Sequence, residues 1–400
     1  MKNVVLLSTT KERPLRILTS RPDITMTVIT EPQYASLHAP FVAPVYVENI
    51  EDFAMVRAAM LSVGHISDIT HIITPSERTL QAGAYIRALL DLPGIPFKTA
   101  NVMSNKYAMK QALKAAGLPV TPFRLLLDLA DLPKVAVGMK WPIAVKPVLG
   151  TGSIDIAILK NLTHFEEFYQ SAASTAHRAR TKPLILEEEI DYLWEFHCDG
   201  IVSDGSVIFA QPGRFFEPLL GSIGNPNGSW AIPPDSADWV AICELHRSTV
   251  ATTGLRDGIT HMEGYRTTSG YLIGEISCRP GGGPITDLVL AQQGVDLWNA
   301  FIQLSLGEDT TIEPHKNTIQ LAECWLPPRS GVIRRITTQD QLMAIPWIRS
   351  AAVAARAGDR IESAFHSTSQ VATVIYEAPS YEEAFTRMSK LTDIFELEVA

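Results

Sequence analysis

Cysteine is scarce: Cys198, Cys243, Cys278 and Cys324 are the only four in 400 residues. They lie far apart, without the close CxxC pairs of zinc or redox sites, so a disulfide framework is excluded and a reducing, cytoplasmic setting is expected. A basic excess is also missing. Lys plus Arg number 34 against 43 Asp plus Glu, a net charge of −9, which is the wrong sign for tracking a phosphate backbone; nucleic acid is not expected as a partner. Long apolar runs are missing as well. After Met1 and Lys2 the first run, Val4 to Leu7, ends at Ser8 and Thr9, too short for a secretory segment, and no stretch approaches the ~18 apolar residues of a membrane span. Internal repeats and low-complexity tracts are absent too.

What is present is a long chain with alternating patterns. At 400 residues it exceeds the size at which one core stops growing, so two or three packed units are expected. Short β-rich runs (Val4 to Leu7, Thr25 to Ile29, His71 to Thr74) alternate with helix-like segments (Ile50 to Val63, Glu77 to Leu90), the pattern of a parallel α/β unit over residues 1–98. A helix then carries Met109, Leu113 and Ala116 at helical spacing, with Ser104 as its expected N-cap and Gly117 and Pro119 as its stop. Residues 99–310 read as a second region. Its small strand-rich lobe, with one inserted helix, covers about 118–190; strands resume from Glu195 and end in a helix over Asp296 to Leu306. Residues 311–400 mix strands (Val371 to Tyr376) with a final helix (Tyr381 to Lys390), a small α+β cap.

The most informative segment is Ile259 to Gly283, which reads as two alternating strands joined by a tight turn at Thr268, Ser269 and Gly270. Pairing by a fixed sum puts Thr267 opposite Tyr271, Tyr265 opposite Ile273, Glu263 opposite Glu275 and His261 opposite Ser277. Two glutamates so placed have Cβ atoms roughly 5 Å apart and repel unless something positive sits between them. Carboxylate oxygens suit Mg²⁺, which binds substrate phosphates besides one or two carboxylates, so the pair implies a nucleotide. The competing reading is a solvated hairpin face. Arg279 follows, before Pro280 and Gly281, Gly282 and Gly283, where backbone without Cβ approaches a ligand closely; a fixed cation there can hold a carboxylate and then a developing oxyanion, or simply form a surface salt bridge.

Upstream, a strand over Trp141 to Val148 puts Lys146 on one face with Ala144 and Val148, just before the loop Gly150-Thr151-Gly152-Ser153. An ammonium followed by a Gly-rich loop is one way to hold phosphates, although the spacing is no Walker loop and an edge-strand lysine looks the same. Lys106 sits in a first helical turn, where the macrodipole disfavours a cation unless a phosphate is bound. Leu184 to Ile190 runs three apolar residues into Glu187, Glu188 and Glu189, and Glu195 follows five residues after Ile190. Such a linker can offer backbone groups to an adenine edge and a carboxylate to ribose, or it can be a charged surface loop.

In this order, N-K-Y-A-M-K with G-L-P-V-T-P-F, P-I-A-V-K-P with G-T-G-S, L-E-E-E-I, and H-M-E with G-E-I-S-C-R-P-G-G-G resemble the ATP-grasp superfamily over roughly residues 100 to 290. The flanking regions resemble its biotin-carboxylase-like branch. Within it, the H-x-E and E-I-x-x-R-P-G-G-G strands look most like the bacterial L-amino acid ligases of the bacilysin and dapdiamide type. The resemblance implies an ATP-grasp fold with an N-terminal parallel α/β domain and an α+β cap. It implies ATP and Mg²⁺, two ions with Mn²⁺ able to substitute, as cofactors, and small-molecule carboxylate and amine partners, with a homodimer by analogy.

By position, the resemblance implies that Lys106 and Lys146 contact phosphates and the Ser153 loop closes over them. Glu187, Glu188 and Ile190 would hold adenine, the last two through backbone, and Glu195 would hold ribose. Glu263 and Glu275 would bind metal, Arg279 would stabilise the acyl phosphate, Arg279 and Gly282 would meet substrate, and His261 would either line the acceptor pocket or merely pack, as a lone histidine on a sheet more often does. The expected reaction is amide formation through an acyl phosphate with release of ADP. The alternatives are a carboxylase-like or purine-pathway enzyme, and a nucleotide-binding protein without turnover. Two departures stand out: Asp155 replaces a common glycine, and Ser277 stands where many members place a metal-binding asparagine. Gly213, Phe215 and Phe216, in an expected loop region over Gln211 to Gly228, and Trp230 just after it, are candidates for lining a pocket or for packing.

Overall fold

The computed structural model describes residues 1–400 apart from 153, 180–182, 316–318 and 363–368. Near the N-terminus four parallel strands lie in the order Val45–Tyr46, Ile24–Thr30, Lys2–Leu7, His71–Ile73. Alternation sorts their side chains to two faces. Val5, Leu7 and Ile29 pack with Val56, Met60, Ala82 and Ile86 from the helices Phe53–Met60 and Glu77–Leu90. Val4, Leu6 and Val28 meet Leu15, Leu18 and the helix Leu297–Ser305 on the other side. Burial on both faces is what an all-parallel sheet requires. The helix anticipated over Ile50 to Val63 is shorter because Asp52 caps it, its carboxylate accepting from Met55 N–H.

The next helix, Lys106–Ala115, is capped by Asn105 and not by Ser104 as expected: the Asn105 side chain accepts from Tyr107 and Ala108 N–H, while the Ser104 hydroxyl donates to Ala100 O. Lys106 therefore opens the helix. The small lobe is an antiparallel sheet in the order Phe123–Leu126, Leu184–Glu188, Ile143–Pro147, Ala157–Leu159, closed on one face by Phe165 of the helix Leu162–Gln170 and by Leu129 and Leu132.

The largest sheet has eight strands, in the order Gly270–Ser277, Gly258–Thr267, Trp194–Ser203, Ser206–Phe215, Asn227–Ala231, Leu321–Leu326, Ala372–Glu377, Ile348–Val353, all neighbours antiparallel. Its last three strands come from the final eighty residues, so the chain's end continues the sheet that carries the glutamate pair. The expected Gln211 to Gly228 loop is strand at both ends, since Gln211 to Phe215 finish Ser206–Phe215 and Asn227 and Gly228 begin Asn227–Ala231. A 17-residue helix, Ala237–Thr253, was not anticipated. It is delimited by Ser236, which accepts from Trp239 N–H, and by Gly254 at φ 72, and it buries Ile242 and Val250 against Met262 and Ile276.

The hairpin differs from expectation in its turn. Thr267 pairs with Gly270, Arg266 with Tyr271, Tyr265 with Leu272 and Gly264 with Ile273, so the loop is two residues, one shorter than expected, and the pairs Thr267–Tyr271 and Tyr265–Ile273 do not form. A bulge at Gly274 restores the register, leaving Glu263 opposite Glu275 and His261 opposite Ser277 as the sequence reading has them. Gly274 fits because a Cβ there would stand 3.1 Å from the Tyr265 ring and 3.2 Å from Glu263 O.

Candidate active site

One cavity of about 270 Å³ lies between the small lobe and the hairpin. On its small-lobe side the strand Leu184–Glu188 brings Glu187 against two lysines. Lys146, two residues from Ala144 on the same face of the neighbouring strand, reaches Glu187 at 2.9 Å, and Lys110 reaches it at 3.4 Å. Thr121 donates to Glu187 at 3.2 Å and accepts from Lys110 at 2.8 Å. Burial opposes ionisation of Glu187, but Lys110 and Lys146 outweigh it and hold its carboxyl below the usual range. Burial pushes Lys110 down to about 8, only partly offset by Glu187. Lys106, one turn before Lys110, donates to Gly150 O at 2.7 Å and pairs with Glu275 at 2.8 Å. Burial works against its charge as well, and Glu275 and Glu77 reverse the balance.

On the other side Glu263 and Glu275 face each other across the hairpin, with Arg279 beyond them. Arg279 pairs with Glu77 at 2.6 Å and donates to Pro280 O at 2.9 Å; Glu77 and Glu263 keep the guanidinium charged against its burial. His261 is packed beneath the pair, bonded through Nε2 to Glu263 at 3.1 Å and through Nδ1 to Asp199 at 2.9 Å. Burial would neutralise His261, yet Asp199 and Glu263 raise it to about 10. Ser277 aims its hydroxyl at His261 O, 3.5 Å away. Gly282, Gly283, Phe215, Ile285 and Trp325 complete this end of the cavity. Phe216 and Trp230 pack elsewhere, against Leu326 and Met388, and Gly213 lies under His197, whose Nε2 a Cβ would approach to 2.1 Å.

At the lobe junction Glu188 N–H is bonded to Pro122 O and Glu189 N–H to Pro142 O. Any adenine contact at Glu188 therefore falls to its carbonyl. Ile190 and Tyr192 line the cavity beside Glu195, whose carboxylate accepts from Leu219 N–H at 3.0 Å. Burial raises Glu195 to about 7, Leu219 N–H opposing and Glu263 adding to the rise. Ser153 lies outside the described residues. In the same loop Asp155 takes a left-handed φ of 56°, a conformation that favours glycine but that aspartate tolerates, and its carbonyl is bonded by His177 Nε2 at 2.8 Å.

The structure thus brings Lys106, Lys146, Glu187, Glu188, Ile190, Glu195, His261, Glu263, Glu275, Arg279 and Gly282 to one cavity. Sequence reading missed Glu77, Lys110, Tyr192 and the His197–Asp199 pair. Lys110 carried a usable signal: it lies four residues after Lys106, beside the apolar Met109 and Leu113, where a solvated lysine is out of place. Two carboxylates on facing strands are a donor set that fits a hard divalent ion such as Mg²⁺. Among the described residues no helix is long and apolar enough to cross a membrane.

Residues 325–400 match the family described as L-amino acid ligase C-terminal domain 2. The L-arginine-specific L-amino acid ligase of Bacillus subtilis is 29% identical over 384 residues, covering 94% of this chain and 92% of that one. The crystal structure of an L-amino acid ligase from Bacillus licheniformis superposes with a TM-score of 0.77 at 19% identity, covering 100% of this chain and 99% of that one. The carboxyaminoimidazole ribonucleotide synthase of Aspergillus clavatus, complexed with ATP, gives 0.72 at 15%, covering 98% and 97%. With the fold, the cavity and these matches together, the chain is an ATP-grasp enzyme, a ligase that forms a carbon–nitrogen bond at the expense of ATP, and it resembles the L-amino acid ligases.

Proposed function

We propose that the enzyme joins an amino acid or small carboxylic acid to an amino acid, through an acyl phosphate, at the cavity between the small lobe and the hairpin. The observation that carries this reading is the opposition of Glu263 and Glu275 in one cavity with Lys106, Lys146 and Arg279. Lys146 and Lys106 hold the phosphates, freed for that task from Glu187 and Glu275 by small side-chain rotations. The Glu188 carbonyl and Ile190 N–H meet the adenine edge, and Glu195 accepts from ribose. Glu263 and Glu275 would hold Mg²⁺, two ions with Mn²⁺ as a substitute, which when bound neutralises phosphate oxygens for in-line transfer.

The first step forms a bond from substrate carboxylate oxygen to the γ-phosphorus and breaks the bridging P–O bond, leaving ADP. Arg279, fixed by Glu77 on one side, pairs with the carboxylate and then with the oxyanion that develops when the amine adds to the acyl carbon. Phosphate departs and the amine nitrogen gives up its proton, leaving the amide. Most of the rate comes from placing these charges before the reaction starts.

The test is product analysis with Mg-ATP and pooled amino acids and small acids, with and without hydroxylamine, read by mass spectrometry. ADP with a new amide or hydroxamate is expected. AMP with pyrophosphate would overturn the acyl-phosphate route, and ADP formation that requires bicarbonate would favour the carboxylase-like alternative. A homodimer is expected by analogy, and sedimentation velocity reads it.

A further inference from the structure

A row of buried polar groups runs from the glutamate pair across the central sheet. Glu263 Oε1 is 3.1 Å from His261 Nε2, His261 Nδ1 is 2.9 Å from Asp199 Oδ1, Asp199 Oδ2 is 2.7 Å from His197 Nδ1, His197 Nε2 is 2.9 Å from Ser229 Oγ, and Ser229 Oγ is 2.9 Å from Glu323 Oε1. Asp199, Ser229 and Glu323 are fully buried and His197 is 1% exposed. The row is built from the register: His197 lies opposite both Glu263 and Gly213, His261 opposite Asp199, and Ser229 opposite Glu323. It skips one strand. Gly213, having no side chain, lets the His197 ring lie across Ser206–Phe215 and reach Ser229 on the next strand.

The donors are fixed by the acceptors. Asp199 accepts from the Nδ1–H of both imidazoles, and because the Glu263 carboxylate also accepts, His261 donates from both of its ring nitrogens, Nδ1–H to Asp199 and Nε2–H to Glu263. A two-histidine, one-aspartate cluster also suggests a metal centre, but its nitrogen–oxygen distances of 2.7 and 2.9 Å are hydrogen bonds, shorter than the roughly 3.3 Å between ligands around a tetrahedral zinc with bonds of about 2.0–2.1 Å. These three groups are bonded to one another and leave no place for an ion.

We propose that Asp199, His197 and Ser229 are positioning residues that act through His261 to lock the Glu263 carboxylate in the orientation that receives the divalent ion. The inference rests on the reading of Glu263 as a metal ligand. The Glu263 side chain is 38% exposed and would otherwise lose rotamer entropy each time it bound an ion; the row removes that freedom in advance, as partners behind a ligand do at metal sites. No other group among the described residues is hydrogen-bonded to the Glu263 side chain, so its aim depends on His261 and, behind it, on Asp199.

The experiment is Mn²⁺ binding read by electron paramagnetic resonance, with the non-hydrolysable β,γ-imido analogue of ATP, beside the Mg²⁺ dependence of turnover in the full chain. Asp199→Asn is expected to weaken Mn²⁺ binding by about 10- to 100-fold. It is expected to raise the half-saturating Mg²⁺ concentration similarly, while kcat at saturating Mg²⁺ recovers to within about fivefold; a merely destabilised protein would not show that split. Ser229→Ala, which cuts the row further out and spares His261, is expected to weaken Mn²⁺ binding about two- to fivefold and keeps the test valid should Asp199→Asn fail to fold. Unchanged Mn²⁺ affinity in folded variants overturns the proposal. Glu263→Gln separates the two readings: if it too leaves Mn²⁺ binding intact, the metal assignment is wrong, whereas an effect there without one at Asp199 or Ser229 sinks only the row.

Discussion

The two walls of the cavity gather charged side chains with opposite charge arithmetic. On the small-lobe wall Lys110 and Lys146 share one carboxylate, Glu187, so positive charge is left over. On the hairpin wall two carboxylates face each other and the nearest cations, Lys106, His261 and Arg279, are each anchored also to something else: Gly150 O, Asp199 and Glu77. Negative charge is left over there. The contrast explains why neither wall is a self-contained salt-bridge network. Each is left incomplete, and on the proposed reading the missing charge is the ligand's.

Breaking the hairpin wall should have the largest effect. Glu275→Gln and Arg279→Ala are each expected to lower kcat/KM by at least about 10³-fold, roughly 4 kcal/mol, with the circular dichroism spectrum unchanged; near wild-type turnover in either would sink the site assignment. On the small-lobe wall the expected damage is to folding. Glu187→Gln leaves Lys110 buried without its counter-charge and should cost about 3 kcal/mol of unfolding free energy by urea titration, whereas an unchanged midpoint would mean that the lysines are solvated.

Between the walls lies Glu195, raised to about 7 mainly by burial. A carboxyl whose folded pKa exceeds its unfolded value stabilises the protein below the unfolded value, about 4.3, and this contribution is lost as pH rises towards 7. ATP binding should run the other way, because ribose hydroxyls donate to the ionised form: affinity is expected to increase about tenfold from pH 6 to 8. Calorimetry at several pH values checks this, and Glu195→Gln should flatten the profile. The smallest effect is expected at Asp155→Gly, where the left-handed φ of 56° suits glycine better: a gain of under about 1 kcal/mol in stability with activity retained. A large loss of ATP affinity there would show that the Asp155 carboxylate itself serves the site.

The sequence made legible whatever depends on short range. The Glu263–Glu275 opposition follows from strand alternation and a short turn, and the reading survives an error in turn length only because the bulge at Gly274 compensates for it. The helix Ala237–Thr253 was hidden because Val240, Ile242, Thr249, Val250, Thr252 and Thr253 carry strand propensity, although Ser236 and Gly254 mark its ends. Glu77 and the His197–Asp199 pair were out of reach for another reason. Glu77 meets Arg279 across 202 residues of chain, a contact that only the tertiary fold defines, and His197 matters only because Gly213 on the neighbouring strand is small.

The continuity of the central sheet has a consequence for shortening the gene. Ending the chain near residue 320 would remove Leu321–Leu326 and leave Asn227–Ala231 as a bare edge, its ladder groups unpaired. Such an edge is a template for strands of other molecules. A truncated product is therefore expected to accumulate in inclusion bodies, and the last eighty residues to work as a built-in safeguard against self-association by edge pairing as much as a part of the enzyme.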